Sequence, residues 1–223
     1  MRFKAVLFDL GWTLVKILES PEIYKRILEI YGVKVSADDV LKAYRANEKE
    51  FDMFEGMAQL GDDFWIKWNL KLLERLGIRE NREFLAEKIV ELWWEYADLE
   101  VYPDVMETLV QLKAKGVKIG VVTNGLKSDF QQILGKLRLS DCFEVVVGID
   151  TCKKAKPNQE IFFYAVNKLR VRPEETIFVG DSIKHDYEGA EGAGLKPLLI
   201  DREGKTPADL DTIRSLTEIL SFI

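Results

Sequence analysis

From Tyr102-Pro103 onward the chain alternates helix-period stretches with short apolar runs, and that alternation sharply limits what it can fold into. The runs at 117–123, 143–148, 176–181 and 196–201 are too short and too uniformly apolar for surface strands. Strands of that kind are buried on both faces of a parallel sheet, with crossover helices as cover. Between them the spacing predicts a helix with Val105, Leu109 and Leu112 inward, ended by Gly116, and then a second, a third and a fourth. A last helix is expected to carry Ile213, Leu216 and Ile219. One further apolar run, 4–10, stands at the start and supplies another strand.

Residues 20–97 carry only helical patterns. Ser20-Pro21 opens a helix with Ile23, Ile27, Ile30 and Tyr31 on one face. Ser36, with Asp39 three residues on, opens a second as a short-acid variant of a capping box. Asp62 or Asp63 opens a third with Trp65, Trp68, Leu72 and Leu76 inward, and a fourth carries Leu85, Ile89, Leu92, Trp93 and Tyr96. The expected organisation is an α/β, Rossmann-like parallel-sheet core, residues 1–14 and 98–223, with a small helical bundle, 15–97, inserted after the first strand. There is no internal repeat and no low-complexity segment.

Composition narrows the function. Of the 223 residues 47% are hydrophobic, enough for a sizeable core, and the formal net charge is -6. An acidic chain without a basic stripe is a poor partner for a nucleic-acid backbone. Asp9 interrupts the first apolar stretch, Ala5–Phe8, after four residues, so neither a signal peptide nor a membrane span is expected. The two cysteines, Cys142 and Cys152, have no metal-motif spacing and read as buried thiols of a cytoplasmic protein. A monomer or a homodimer is expected.

Asp9 ends the first strand, and the run 176–179 leads into Gly180-Asp181-Ser182 and then Asp186. The carboxyl ends of parallel strands are where open α/β sheets place their ligands. Three acids gathered there repel one another unless a cation neutralises them, which suggests a Mg²⁺ site that handles phosphate.

These segments resemble the haloacid dehalogenase-like (HAD) hydrolase superfamily, whose signature is four short segments in fixed order at strand ends. Asp9 in Phe8-Asp9-Leu10-Gly11-Trp12-Thr13-Leu14 occupies the nucleophile position. Thr123 in Val122-Thr123-Asn124-Gly125 occupies the hydroxyl position, and Lys156 in Ala155-Lys156-Pro157-Asn158 the lysine position. Gly180-Asp181-Ser182 with Asp186 matches the acidic fourth segment. The helical insert looks like the family's type-1 cap, with hinges near 14–18 and 99–103.

The resemblance implies a phosphatase that forms an acyl phosphate on Asp9 and holds Mg²⁺ with Asp9, the Gly11 main-chain carbonyl, Asp181 and Asp186, the last directly or through water. The residues themselves suit that chemistry. A carboxylate nucleophile splits one hard displacement into two easier ones. Thr123 can donate its hydroxyl, the N–H groups of Asn124 and Gly125 add partial positive charge, and Lys156 adds a full one. The implied substrate is a small phosphorylated metabolite.

One departure stands out. Phosphatases of this family usually carry a second Asp two residues after the nucleophile, and here that residue is Gly11. The main-chain carbonyl survives, but the general acid/base is lost, typically at a cost of about 10²- to 10⁴-fold. Three other readings also accommodate the glycine: a metal-independent 2-haloacid dehalogenase, a phosphonatase-like enzyme using a lysine such as Lys16, Lys25 or Lys49, and a catalytically silent phosphate-binding regulator. His185, the only histidine, is either a spare proton donor or an ordinary loop residue. Trp65, Trp68, Trp93 and Trp94 read as bundle interior. Arg45, Glu48 and Lys49 read equally as an exposed charged face or as substrate contacts.

Overall fold

Ala5, Val6, Leu7 and Phe8 are all fully buried, which a strand achieves only with neighbours on both edges and cover on both faces. In the computed structural model, which describes residues 3–206 and 209–223, this strand (β1, Ala5–Phe8) lies inside the sheet. Met1 and Arg2, which precede the first expected strand, lie outside the described residues. The chain goes on to form β2 (Val15–Lys16), β3 (Glu100–Val101), β4 (Lys118–Val122), β5 (Val145–Val147), β6 (Thr176–Gly180), β7 (Lys196–Ile200) and β8 (Thr212–Ile213). Six strands pair in parallel in the order β5-β4-β1-β6-β7-β8. Chain order therefore runs outward from β1 in one direction and then in the other, which places a topological switch point at β1. The α/β parallel-sheet fold expected from the alternation is the one formed.

The chain divides into two compact units, residues 1–16 with 100–223, and residues 17–99. Residues 17–99 hold the helices α1 (Ser20–Ile30), α2 (Ala37–Glu50), α3 (Met53–Leu60), α4 (Asp63–Arg75) and α5 (Arg82–Leu92). The sheet unit holds α6 (Val105–Ala114), α7 (Lys127–Lys136), α8 (Ile149–Cys152), α9 (Gln159–Leu169) and α10 (Glu188–Gly192). On one sheet face Ala5, Leu7 and Phe178 pack with Ile161, Phe162 and Ala165 of α9, and the rings of Phe162 and Phe178 meet edge-on at 5.0 Å. The opposite face, Val6, Phe8, Ile177 and Val179, is equally buried. Gly120 lets β4 lie close to its neighbours, since a Cβ there would come within 2.5 Å of Val145 and 2.8 Å of Leu7. The antiparallel pair β2–β3 is where the chain leaves and re-enters this unit.

The helical unit packs Trp68, Tyr24, Phe64, Ile23, Ile27, Leu28 and Leu72 inside. Buried amides join its helices. Tyr24 donates to Asn69 Oδ1 at 2.6 Å, Asn69 donates to the Ala86 carbonyl at 3.2 Å, and Asn47 donates to the Trp68 carbonyl at 2.9 Å. Five helices occur where four were expected. The extra one, α3, begins at Asp52, whose carboxylate accepts from Glu55 N, but Gly56 in its middle weakens the helical signal. The glycine is needed because the Phe64 ring fills the space its Cβ would take, at 2.3 Å. Other expectations in this unit need correction. Ile30 is exposed rather than inward, Phe64 takes the buried place beside Trp68 while Trp65 is half-buried, and Trp93 and Tyr96 lie past the end of α5.

The expected last helix is also not formed. Ile213 belongs to β8, and Leu216–Ser221 winds as a 3₁₀ turn capped by Ser215. The spacing of Ile213, Leu216 and Ile219 is three, which is the 3₁₀ period rather than the α one. Both cysteines are free and half-buried, not buried. Among the described residues no helix is long and apolar enough to cross a membrane.

The loop after β7 is fastened by Asp201, whose carboxylate accepts from Gly204 N at 2.9 Å and Thr206 N at 2.7 Å. Those backbone donors, Thr206 foremost, hold its pKa down to about 2, against an ordinary 3.8. A carboxyl with a depressed folded-state pKa contributes stability that is complete above its unfolded value and lost as pH falls through the folded one. Urea denaturation of wild type and Asp201→Asn should therefore differ by a constant amount above about pH 5, where the carboxyl is ionised in both states. The gap should close towards pH 2. A gap that persists at pH 2 would show that the carboxylate's charge is not what fastens the loop.

Candidate functional site

Three neighbouring strands, β4, β1 and β6, end side by side, and the residue just past each end is Thr123, Asp9 and Asp181 respectively. Asp9 N donates to the Val179 carbonyl at 2.8 Å, so the last ladder bond of β1 fixes the acid's backbone. Lys156 arrives from the loop between α8 and α9, and Asp186 from a single π-helical stretch, Ile183–Tyr187. The sequence-expected residues Asp9, Thr123, Asn124, Lys156, Asp181 and Asp186 all belong to this one end of the sheet unit.

At its centre is Lys156, 2% exposed, whose ammonium bonds Asp9 Oδ1 at 2.6 Å and Asp186 Oδ1 at 2.5 Å. The second oxygen of Asp186 accepts from Ser182 N at 2.9 Å. Carboxylate oxygens of Asp9, Asp181 and Asp186 can all lie within 4.8 Å of one another. Burial and this crowding raise the pKa of two of them, Asp9 and Asp181. Burial raises Asp9 most; the charges of Asp186 and Asp181 add to it, the opposing effect of Lys156 is outweighed, and the result is about 7. Asp181, although exposed, is pushed up to about 6 by partial desolvation at the site's edge and by the Asp186 charge. Burial alone would lower the Lys156 ammonium, but its two carboxylate partners outweigh that and hold it above its ordinary value.

The loops are shaped by small, specific contacts. Asn124 grips the backbone of Lys156 in both directions, donating to its carbonyl at 3.0 Å and accepting from its N–H at 2.7 Å. Its side chain is thereby engaged in placing the lysine. Thr123 Oγ1 accepts from Gly125 N at 3.2 Å, which leaves the hydroxyl proton to be donated elsewhere. Leu14 N and Val15 N both donate to the Leu10 carbonyl, closing a turn around Gly11 and Trp12. Trp12 takes a left-handed backbone, φ 58°, where a side chain other than glycine's is unusual. His185 is half-buried, with Nδ1 3.2 Å from Ser182 Oγ, so it belongs to the loop's own bonding.

A family model described as haloacid dehalogenase-like hydrolase matches residues 3–194. The chain belongs to that family. This hydrolase is 32% identical over 204 residues to a glyceraldehyde 3-phosphate phosphatase of Methanopyrus kandleri, covering 91% of this chain and 85% of that one. It is also 32% identical over 201 residues to pyrophosphatase PpaX of Bacillus mycoides, covering 90% and 84%. Among solved structures, a HAD phosphatase from Thermococcus onnurineus aligns with a TM-score of 0.68 at 28% identity, covering 99% and 97%.

Sequence reasoning missed the contribution of Gly180 to the hydrolase site. A Cβ on Gly180 would meet Asp186 Cγ at 2.3 Å and its Oδ2 at 2.4 Å. Only an absent side chain lets the carboxylate fold back under the strand end to reach Lys156. Gly180→Ala should therefore destabilise the fold by about 1–3 kcal/mol, as overpacking of a filled interior does. Urea denaturation measures this, and an unchanged midpoint would mean that Asp186 has another place to go.

Proposed function

We propose that this hydrolase is a Mg²⁺-dependent phosphatase of a small phosphorylated metabolite, with Asp9 as nucleophile. The observation that carries the reading is the convergence of Asp9, Asp181 and Asp186, with one buried ammonium bonded to two of them. Three carboxylates against one ammonium leave two negative charges, which a divalent cation balances. Burial first, and the neighbouring carboxylate charges with it, raise the pKa values of Asp9 and Asp181, as expected where negative charge is in excess. Relatives named as phosphatases of glyceraldehyde 3-phosphate and as pyrophosphatases support a phosphoryl substrate.

Asp9, the Gly11 main-chain carbonyl and Asp181 would hold the ion, with Asp186 acting through water because both its oxygens already have protein partners. Bound Mg²⁺ supplies Lewis-acid polarisation of a phosphoryl oxygen and offsets repulsion between the nucleophile and the dianion. Asp9, ionised and held by Lys156, attacks phosphorus and becomes the acyl phosphate. Lys156 and the Thr123 hydroxyl neutralise the phosphoryl oxygens, joined by the backbone N–H of Asn124. The leaving oxygen departs with no carboxyl at position 11 to protonate it, so substrates with good leaving groups react best. Water then attacks the acyl phosphate and frees Asp9. Metal-independent turnover of a 2-haloacid is disfavoured, since without a bound cation its carboxylate would enter a site already two charges negative. An acidic chain with two free thiols suits a freely diffusing metabolite in the cytoplasm.

Hydrolysis of p-nitrophenyl phosphate tests the reading directly. Turnover should require Mg²⁺, stop with EDTA, and be lost in Asp9→Asn. Metal-independent chloride release from 2-chloropropionate, with no phosphate release, would sink it. Gly11→Asp should raise kcat on alkyl phosphates by up to about 10²-fold and change aryl phosphates little. An equal rise on both classes would show that leaving-group protonation is not what the glycine costs.

A further inference from the structure

The turn that follows Asp9 is held from outside by a residue almost two hundred positions away. Arg202 Nη2 donates to the Thr13 carbonyl at 3.0 Å, while Nη1 donates to Asp104 Oδ2 at 2.7 Å. The same Asp104 oxygen accepts from Leu216 N at 2.8 Å and Ser215 Oγ at 3.1 Å. The guanidinium lies over the Tyr102 ring, 3.9 Å from its centroid, which fixes the plane of the fork. Tyr102 N in turn donates to the Leu14 carbonyl at 3.1 Å.

A guanidinium beside a carboxylate ordinarily pairs with it by two parallel bonds. Here it does not. Asp104 Oδ1 and Arg202 Nε are both buried without a partner. The second nitrogen is given to a main-chain carbonyl instead. Leaving buried polar atoms unpaired is costly, so the divided grip calls for an explanation beyond ion pairing. Its target supplies one. Thr13 is wholly buried in the turn closed by the bonds of Leu14 N and Val15 N to the Leu10 carbonyl. That turn carries Gly11. A glycine has no side chain to pack, so its peptide is oriented by backbone bonds: Trp12 N donates to the Val15 carbonyl at 2.7 Å, and the residues between, Thr13 and Leu14, are held by Arg202 and Tyr102. Trp12 takes φ 58°, so the turn depends on those bonds to hold an uncommon backbone conformation.

We infer that Arg202 is a positioning residue which, through the Thr13 carbonyl, sets the orientation of the Gly11 peptide and hence the affinity of the site for Mg²⁺. This rests on the phosphatase reading for the identity of the ion. Arg202 touches neither substrate nor metal. Its effect is transmitted by two carbonyls, those of Thr13 and Leu14, clamped by Arg202 and Tyr102. Lysine cannot replace it fully, since one ammonium reaches Asp104 or Thr13 but lacks the planar fork that spans both.

The test is calorimetric titration of Mg²⁺ into the full-length protein without substrate, for wild type, Arg202→Met, Arg202→Lys and Ser215→Ala. Outer partners that orient metal ligands typically contribute about 10- to 100-fold in affinity. Arg202→Met should weaken Mg²⁺ binding by about that factor, with Arg202→Lys between it and wild type. Ser215→Ala loosens Asp104 but leaves the Thr13 bond, so its melting temperature should fall with Mg²⁺ affinity unchanged. Should Arg202→Met fail to fold, Arg202→Lys keeps a cation for Asp104 and carries the comparison. Unaltered affinity in the folded Arg202 variants would overturn the inference alone. Absence of Mg²⁺ binding by wild type would overturn the phosphatase reading, and the inference with it. Affinity lost equally in Ser215→Ala would assign the effect to general loosening and overturn positioning.

Discussion

A lysine buried between two aspartates is the interaction on which the rest of this hydrolase depends. Lys156 reaches Asp9 across 147 positions and Asp186 across 30, so its ammonium ties three separate loops into one centre. Charges this deep persist only when paired, and removing one partner of such a group leaves the other uncompensated at about 3–5 kcal/mol. The sheet brings the strand ends together, and Lys156 makes the resulting crowd of acids tolerable. Its single positive charge is nevertheless too small for three carboxylates. The negative charge left over is what the proposed divalent ion would balance.

The scaffold serves that centre by restraining backbone. Asp9 is anchored through its own N–H to β6, Lys156 through both its backbone groups to Asn124, and Asp186 through Ser182 N. The restraints on Asp9 and Lys156 leave the functional end of the side chain untouched, whereas that on Asp186 is made by the carboxylate itself. Gly180 acts in the same sense by subtraction, clearing the volume that the Asp186 carboxylate enters.

Much of this was legible in the sequence, because short apolar runs ending in Asp9 and Gly180-Asp181 constrain both strand and site at once. Lys156 could be singled out from Lys153 and Lys154 by the proline that follows it. Where local pattern and tertiary packing disagree, legibility fails. The helix α3 hides behind Gly56, which exists for the sake of Phe64, and the final turn hides behind a three-residue spacing that reads as helical in general. The grip of Asn124 on Lys156 and the reach of Arg202 to Thr13 are pairings across 32 and 189 positions. Nothing in the local chemistry of either residue announces such a partner.

The unusual backbone of Trp12 has an optical consequence. Of the five tryptophans, Trp65, Trp68, Trp93 and Trp94 all belong to residues 17–99, and Trp12 is the sole indole of the sheet unit. It is 39% exposed and stands one peptide from Gly11. An indole so placed senses solvent and nearby charge, whereas Trp68 is sealed among hydrocarbon. With the other four replaced by phenylalanine, the emission of this one ring would serve as a built-in gauge of what occupies the pocket beside it.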